Sequence, residues 1–155
     1  MNNILIEITN KKEEALELAK ELSNFFNDDG IKSLEHDLES HELFGAFINN
    51  ILVGFITFRK ADIASLEISW LAIKTEYQNQ GIGSKLVKDS LNIFSESAYK
   101  ICYVKTLAET AKDDGYFKTR AFYKKLGFNT LEIISPYPDW TEENPCQILA
   151  AALPL

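Results

Sequence analysis

The chain has 155 residues, 46% hydrophobic, 12% aromatic and 25% charged, so one domain spanning residues 1–155 can bury a real core without disulfide or metal staples. Its net charge of -7 argues against general nucleic-acid binding and against docking on an anionic membrane, both of which need a basic face. An acidic chain suits a cationic partner such as an amine, because net charge steers encounter.

Ile4, Ile6 and Ile8 alternate with Asn3, Leu5 and Glu7, the pattern of a first strand. Asn10 followed by Glu13 predicts a capping box. Beyond it Ala15, Leu18, Ala19, Leu22, Phe25 and Phe26 recur at helical spacing, and Asp28-Asp29-Gly30 is expected to end that helix. A shorter helix is expected over Ile31 to Ser40. Leu43 to Ile48 and Ile51 to Phe58 are apolar runs joined by Asn49-Asn50, and asparagine tolerates positive φ, so a tight hairpin is predicted.

A strand over Leu66 to Ile73 follows, then a helix over Ile82 to Phe94 with Ile82, Leu86, Val87, Leu91 and Phe94 on one face. Ile101 to Leu107 is rich in strand formers, Glu109 to Tyr116 is loop-like, and Thr119 to Leu126 is a short helix stopped by Gly127. Leu131 to Ile134 and Gln147 to Leu153 close the chain as two strands around a Pro-rich loop, Ser135 to Pro145. The order β-α-α-β-β-β-α-β-α-β-β predicts an α/β fold with a mixed sheet of about seven strands and four helices.

Two cysteines, Cys102 and Cys146, sit in apolar runs and read as buried reduced thiols. Cys146 is also a candidate nucleophile, although no histidine partner is suggested. His36 and His41 lie in a polar stretch without nearby cysteines, so no metal site is expected. Met1 to Asn10 show no leader pattern and no run of about 18 apolar residues exists, so the expected address is the cytoplasm.

Between the strand ending at Ile73 and the helix beginning at Ile82 stands Gln78-Asn79-Gln80-Gly81-Ile82-Gly83. A Gly-rich turn that opens a helix presents unpaired N–H groups beside the positive end of the helix dipole, and phosphate is the usual guest. Two phosphate cradles are excluded. The P-loop needs a Gly-Lys-Ser/Thr ending, and the dinucleotide fingerprint needs a third glycine where this chain has Leu86.

Read from Glu67, the run Glu67-Ile68-Ser69-Trp70-Leu71-Ala72-Ile73, a polar linker and Gln78-x-x-Gly81-x-Gly83 resembles motif A of the GNAT superfamily of acyl-CoA-dependent N-acetyltransferases. Arg120-Ala121-Phe122-Tyr123-Lys124-Lys125-Leu126-Gly127-Phe128 resembles its motif B. The resemblance covers nearly the whole chain. It implies a twisted mixed sheet that splays in the middle, acetyl-CoA as cofactor, and direct acetyl transfer to a primary amine of a small molecule or peptide in a ternary complex. A CoA-binding module that has lost turnover is the alternative. Relatives often dimerise, which leaves a homodimer open.

By this resemblance Gln78, Asn79, Gln80, Gly81, Ile82, Gly83 and Ser84 hold the pyrophosphate. Glycine lets the phosphates approach the backbone. Gln80 departs from relatives that carry Arg or Lys there, so backbone dipoles carry more of the anchoring; Lys85 and Lys88 are alternatives on the helix face. Pantetheine would run beside Leu71, Ala72 and Ile73, with the Leu71 N–H at the thioester oxygen, re-aimed by a strand bulge. Where many relatives have Asn, seven residues before Tyr123, this chain has Tyr116, which leaves Thr119 or Arg120 to make that contact. Arg120 is equally well read as a surface salt bridge.

Three roles complete the expected site. On an alternating strand Leu66, Ile68 and Trp70 share one face and Glu67 and Ser69 the other. Glu67 is then a candidate general base or the holder of an ordered water, against a plain salt-bridged glutamate. Tyr123 is the candidate acid beside the cofactor sulfur, against a tyrosine packed by its ring. Tyr137-Pro138-Asp139-Trp140 is a candidate cage for the acceptor ammonium, with Phe26 on the opposite wall.

Overall fold

The computed structural model describes residues 3–110, 116–138, 140 and 144–155. Seven strands form one sheet: β1 (Leu5–Ile8), β2 (Glu42–Ile48), β3 (Ile51–Asp62), β4 (Ser65–Ile73), β5 (Ile101–Leu107), β6 (Asn129–Ile134) and β7 (Cys146–Ala152). Their spatial order is β1-β2-β3-β4-β5-β7-β6. Only β4 and β5 run parallel. Four α-helices are present among the described residues: α1 (Lys12–Glu21), α2 (Asp28–Leu38), α3 (Ile82–Ser95) and α4 (Phe117–Lys125). The predicted element order and mixed sheet are therefore both present.

Period-two alternation along β2 and β3 builds a core on each side of the sheet. Phe44, Ala46, Ile48, Ile56 and Phe58 meet Leu86, Val87, Leu91 and Phe94 of α3 and Tyr123 of α4. Leu43, Phe47, Leu52 and Phe55 meet Ala15, Leu18 and Ala19 of α1 and Leu34 and Leu38 of α2. Both asparagines of the β2–β3 turn have positive φ, 51° at Asn49 and 65° at Asn50, as a two-residue hairpin of this twist requires.

Two local expectations fail. No side chain caps α1: the Lys12 N–H donates to the Asn10 carbonyl at 2.8 Å, and Lys11, not Asn10, flanks the helix. Asp28-Asp29-Gly30 opens α2 instead of closing α1. Asn27 Oδ1 accepts the Gly30 N–H at 2.8 Å, and the two aspartates place negative charge in the first turn, where the helix dipole favours it.

The strict alternation expected of β4 also fails. Phe58 pairs with Ile68 and Thr57 with Trp70, so Ser69 is an extra residue, a β-bulge. Leu66, Ile68, Leu71 and Ile73 consequently all pack on the α3 side. Trp70 instead packs with Ala72 in the α1/α2 core. Its indole Nε1 donates to Asp37 of α2 at 2.8 Å, on the Glu67 side of the sheet. The physical reason is that one inserted residue resets a period of two for everything after it.

Candidate functional site

The parallel pairing of β4 with β5 runs only from Ser65↔Ile101 to Ile68↔Val104. Beyond it β5 pairs on its other side, with β7, and residues 69–73 of β4 keep only β3. The sheet therefore opens into a cleft whose wall is one strand edge. Lys74 N–H still donates to Val53 of β3 at 2.9 Å. Backbone groups alternate along a strand, so Ala72 also turns toward β3, while Leu71 and Ile73 face the opening. The Ile73 carbonyl there is taken by Gln78 Nε2 at 2.9 Å. The Leu71 N–H faces the open edge.

The Gly turn stands at the end of this edge. Gly81 caps α3 with φ +84°, and Asn79 has φ +61°. A Cβ built on Gly81 would meet no atom within 4 Å, so the space before the helix N-terminus is open, as a phosphate cradle requires. Gly83 faces α4, where an added Cβ would lie 3.4 Å from the Phe122 ring. Gln80 Nε2 donates back to the Glu76 carbonyl at 3.1 Å, and Lys85 is paired with Asp89 at 2.7 Å. Both side chains are engaged within the loop and helix. The open groups are the first N–H donors of α3, around Ile82, Gly83 and Ser84.

On α4, Tyr123 is buried between Phe122 and Phe128, with ring centroids at 5.0 and 5.4 Å. Burial, with a smaller contribution from Cys102, raises its phenol well above the ordinary tyrosine range, so it stays protonated. Thr119 is half-buried and Tyr116 exposed. Arg120 is 7% exposed and turned inward, its Nη1 donating to the Leu107 carbonyl at 2.7 Å. That bond ties α4 to the end of β5, and at this burial Arg120 is not the surface salt bridge of the alternative reading.

Glu67 is 7% exposed, on the face opposite α3, and each of its oxygens meets a cation. Arg59 Nε lies 2.8 Å from Oε1 and Lys105 Nζ 3.3 Å from Oε2. Arg59 also donates to the Tyr103 hydroxyl at 2.7 Å. The Glu67 hydrogen bond raises the Arg59 pKa despite some burial. Burial works against the charge of Lys105, but Tyr137 and Glu67 outweigh it and leave its pKa raised as well. The salt-bridged alternative for Glu67 is thus the state observed.

The aromatic residues expected around the acceptor form separate pairs. Phe26 packs on Trp70 at 5.5 Å and Trp140 on Tyr137 at 5.1 Å. Lys105 Nζ lies over the Tyr137 ring at 5.4 Å, so the protein's own ammonium holds that cation–π position. Asp139 lies outside the described residues. Cys146 is buried and its thiol pKa is raised by burial, which suits an inert thiol.

Sequence reasoning missed Arg59, Tyr103, Lys105 and His41. The first three surround Glu67, and alternation on β3 and β5 could have placed them on its face. His41 Nδ1 lies 2.8 Å from Ser69 Oγ, and nothing in the sequence signals that contact between residues far apart in the chain.

Residues 39–130 match the family described as acetyltransferase (GNAT) domain. The chain belongs to the GNAT acetyltransferase family. Its fold is shared with solved structures of low identity. A GNAT-family protein from Desulfovibrio desulfuricans aligns with TM-score 0.84 at 12% identity, over 97% of this chain and 99% of that one. A GNAT acetyltransferase from Elizabethkingia anophelis with acetyl-CoA bound aligns with TM-score 0.74 at 23% identity, over 99% and 100%. An acetyltransferase from Bacillus subtilis in complex with CoA aligns with TM-score 0.76 at 19% identity, over 97% and 99%. No curated protein matches the sequence significantly.

Proposed function

We propose that the chain is an acetyl-CoA-dependent N-acetyltransferase that moves an acetyl group to a primary amine of a small molecule or peptide by direct transfer in a ternary complex. The observation that carries this reading is the opening of β4 from β5 after Ile68, with a glycine-capped helix N-terminus at its end. Family membership and the CoA or acetyl-CoA held by two fold relatives support it. Acetyl-CoA, when bound, supplies an acetyl group activated as a thioester. The first N–H groups of α3 and the space before Gly81 fit its phosphates. Leu71 and the Ile73 N–H face the opening and would pair with an extended amide chain, and the Leu71 N–H would hold a developing negative oxygen.

Tyr123 keeps its proton through the neutral range, so its role is a hydrogen bond to the departing sulfur. Full proton transfer from a phenol of raised pKa to a thiolate would run uphill. Glu67 is held by Arg59 and Lys105, and we assign it to keeping that pair in place, not to taking the proton itself. The clamped Glu67 is also the one observation that favours a silent CoA-binding module. Two measurements separate these readings. Thermal unfolding at about 100 times the dissociation constant should show roughly 2.7 kcal/mol of added stability. Thiol release should then appear with at least one amine of a panel containing spermidine, kanamycin, lysine and a short peptide with a free N-terminus. Stabilisation without thiol release leaves the module; no stabilisation at millimolar acetyl-CoA removes both.

A further inference from the structure

Four side chains beside the cleft have no part in the mechanism so far, yet they are joined. His41 Nδ1 lies 2.8 Å from Ser69 Oγ, and Ser69 Oγ lies 2.7 Å from Thr57 Oγ1. His41 Nε2 lies 3.7 Å from Asp37 Oδ1. The Asp37 carboxylate is itself anchored by the Trp70 indole. Ser69 is the bulge residue of β4 and the first residue beyond the last β4–β5 pair. The bulge thus sets its hydroxyl where the sheet opens, two residues before Leu71.

The donors can be assigned from the partners. The Asp37 carboxylate lies 3.7 Å from Nε2, beyond hydrogen-bond reach, and its negative charge favours the imidazole proton on Nε2, which leaves Nδ1 as an acceptor. Ser69 then donates to Nδ1, its shorter option, since the Thr57 carbonyl is 3.3 Å away. Thr57, fully buried, donates its own hydroxyl proton to Ser69 Oγ. This is a hydroxyl, a base and a group that orients the base, in series.

We infer that Ser69 and His41 form the proton route of the acceptor amine, with Asp37 as a positioning residue. This rests on the acetyl-transfer reading above. An ammonium nitrogen gives one proton to Ser69 Oγ as the Ser69 proton passes to His41 Nδ1. The amine is left neutral and nucleophilic, the imidazole becomes imidazolium beside Asp37, and no electrons are exchanged with a second reagent. Glu67 is the poorer destination, because each of its oxygens is already held by a cation. His41 also has an exit to water. It lines two hollows of about 570 and 270 Å³, which meet at Ser40, His41 and Glu42. The charges facing it there are Lys12, Glu39 and Glu42 on one side and Arg59 and Lys60 on the other.

The free protein supplies one test. Long-range proton–nitrogen spectra of the two imidazoles, assigned with His36→Gln, should show the neutral form of His41 carrying its proton on Nε2, and Ser69→Ala should shift Nδ1. A neutral His41 protonated on Nδ1 overturns the route. Kinetics supply the other, using thiol release from acetyl-CoA with the amine panel. His41→Gln and Ser69→Ala should each lower kcat by at least about tenfold at unchanged acetyl-CoA affinity. The double variant should fall no further than one single, because the groups act as a unit. Ser69→Thr, which keeps the hydroxyl, should recover most of the rate. Full kcat in either single variant, or losses that simply multiply, removes the route and leaves acetyl transfer standing. A wild-type protein that binds no acetyl-CoA removes the acetyl-transfer reading, and the route with it.

Discussion

The two sides of the cleft are built from different material. The side proposed for the cofactor is backbone: the free edge of β4 beyond Ile68, the left-handed Gly81 and the first turn of α3. The side proposed for the acceptor is side chains: Glu67 held between Arg59 and Lys105, and Ser69 held between His41 and Thr57. A site made of backbone needs a particular local conformation and leaves its mark in consecutive residues. A site made of side chains needs several elements to converge, and each contributes a residue that looks ordinary in its own segment.

The contrast is broken most severely at Gly81. Glu at this position would occupy a strained φ of +84° and set a carboxylate where phosphates are expected. Like-charge contact of this kind costs several kcal/mol, so acetyl-CoA affinity should fall by more than about 100-fold. Calorimetric titration measures this directly, and an unchanged dissociation constant would sink the cradle. Tyr123→Phe comes next. A hydrogen bond to a charged atom contributes about 1.5–3 kcal/mol, so kcat should drop roughly ten- to hundredfold while acetyl-CoA binding holds. Because the phenol pKa is raised, the wild-type rate should also show no alkaline loss through Tyr123 as pH passes the ordinary tyrosine value of 10.0; a fall there that Tyr123→Phe abolishes would mean that Tyr123 ionises like an exposed tyrosine.

Glu67→Gln sharpens the comparison on the acceptor side. It leaves Arg59 and Lys105 without their shared counter-charge, and Arg59 is partly exposed, so a loss of about 1–2 kcal/mol is expected. Adding Arg59→Met should restore part of it; urea unfolding of the four proteins of this cycle reads the coupling, and strict additivity would argue against the cluster. The smallest effect concerns Cys102, fully buried on β5 opposite Leu66 of β4, whose thiol burial pushes up to about 12. The unfolded chain gives up this proton first, so stability should decline as pH rises from the ordinary 9.0 toward about 12. Cys102→Ala should flatten that decline, as unfolding at pH 8 and pH 10.5 would show; equal slopes would mean another group titrates.

The legible parts of the chain share one property. The Asn49-Asn50 turn, the helix start at Gly81 and the apolar face Leu86, Val87, Leu91 and Phe94 are each specified by residue type or spacing within a turn or two, and each stands where the sequence placed it. The misread parts were also local, but ambiguous. Asp28-Asp29-Gly30 carries a glycine that ends helices and aspartates that begin them, and Asn27 decided between the two by capping α2. Trp70 was placed on the wrong face because strict alternation was applied through the bulge that the resemblance implied, and no residue type marks Ser69 as the inserted residue.

The order of strands and helices, the hairpin turn and the glycine-capped helix follow from hydrophobic period and backbone permissiveness, which are properties of short segments. The partners of Glu67 and Ser69 do not. They come from β3, β5 and the corner after α2, and strand register, one inserted residue and the packing of α2 on the sheet bring them together. Those are long-range quantities set only when the whole sheet assembles.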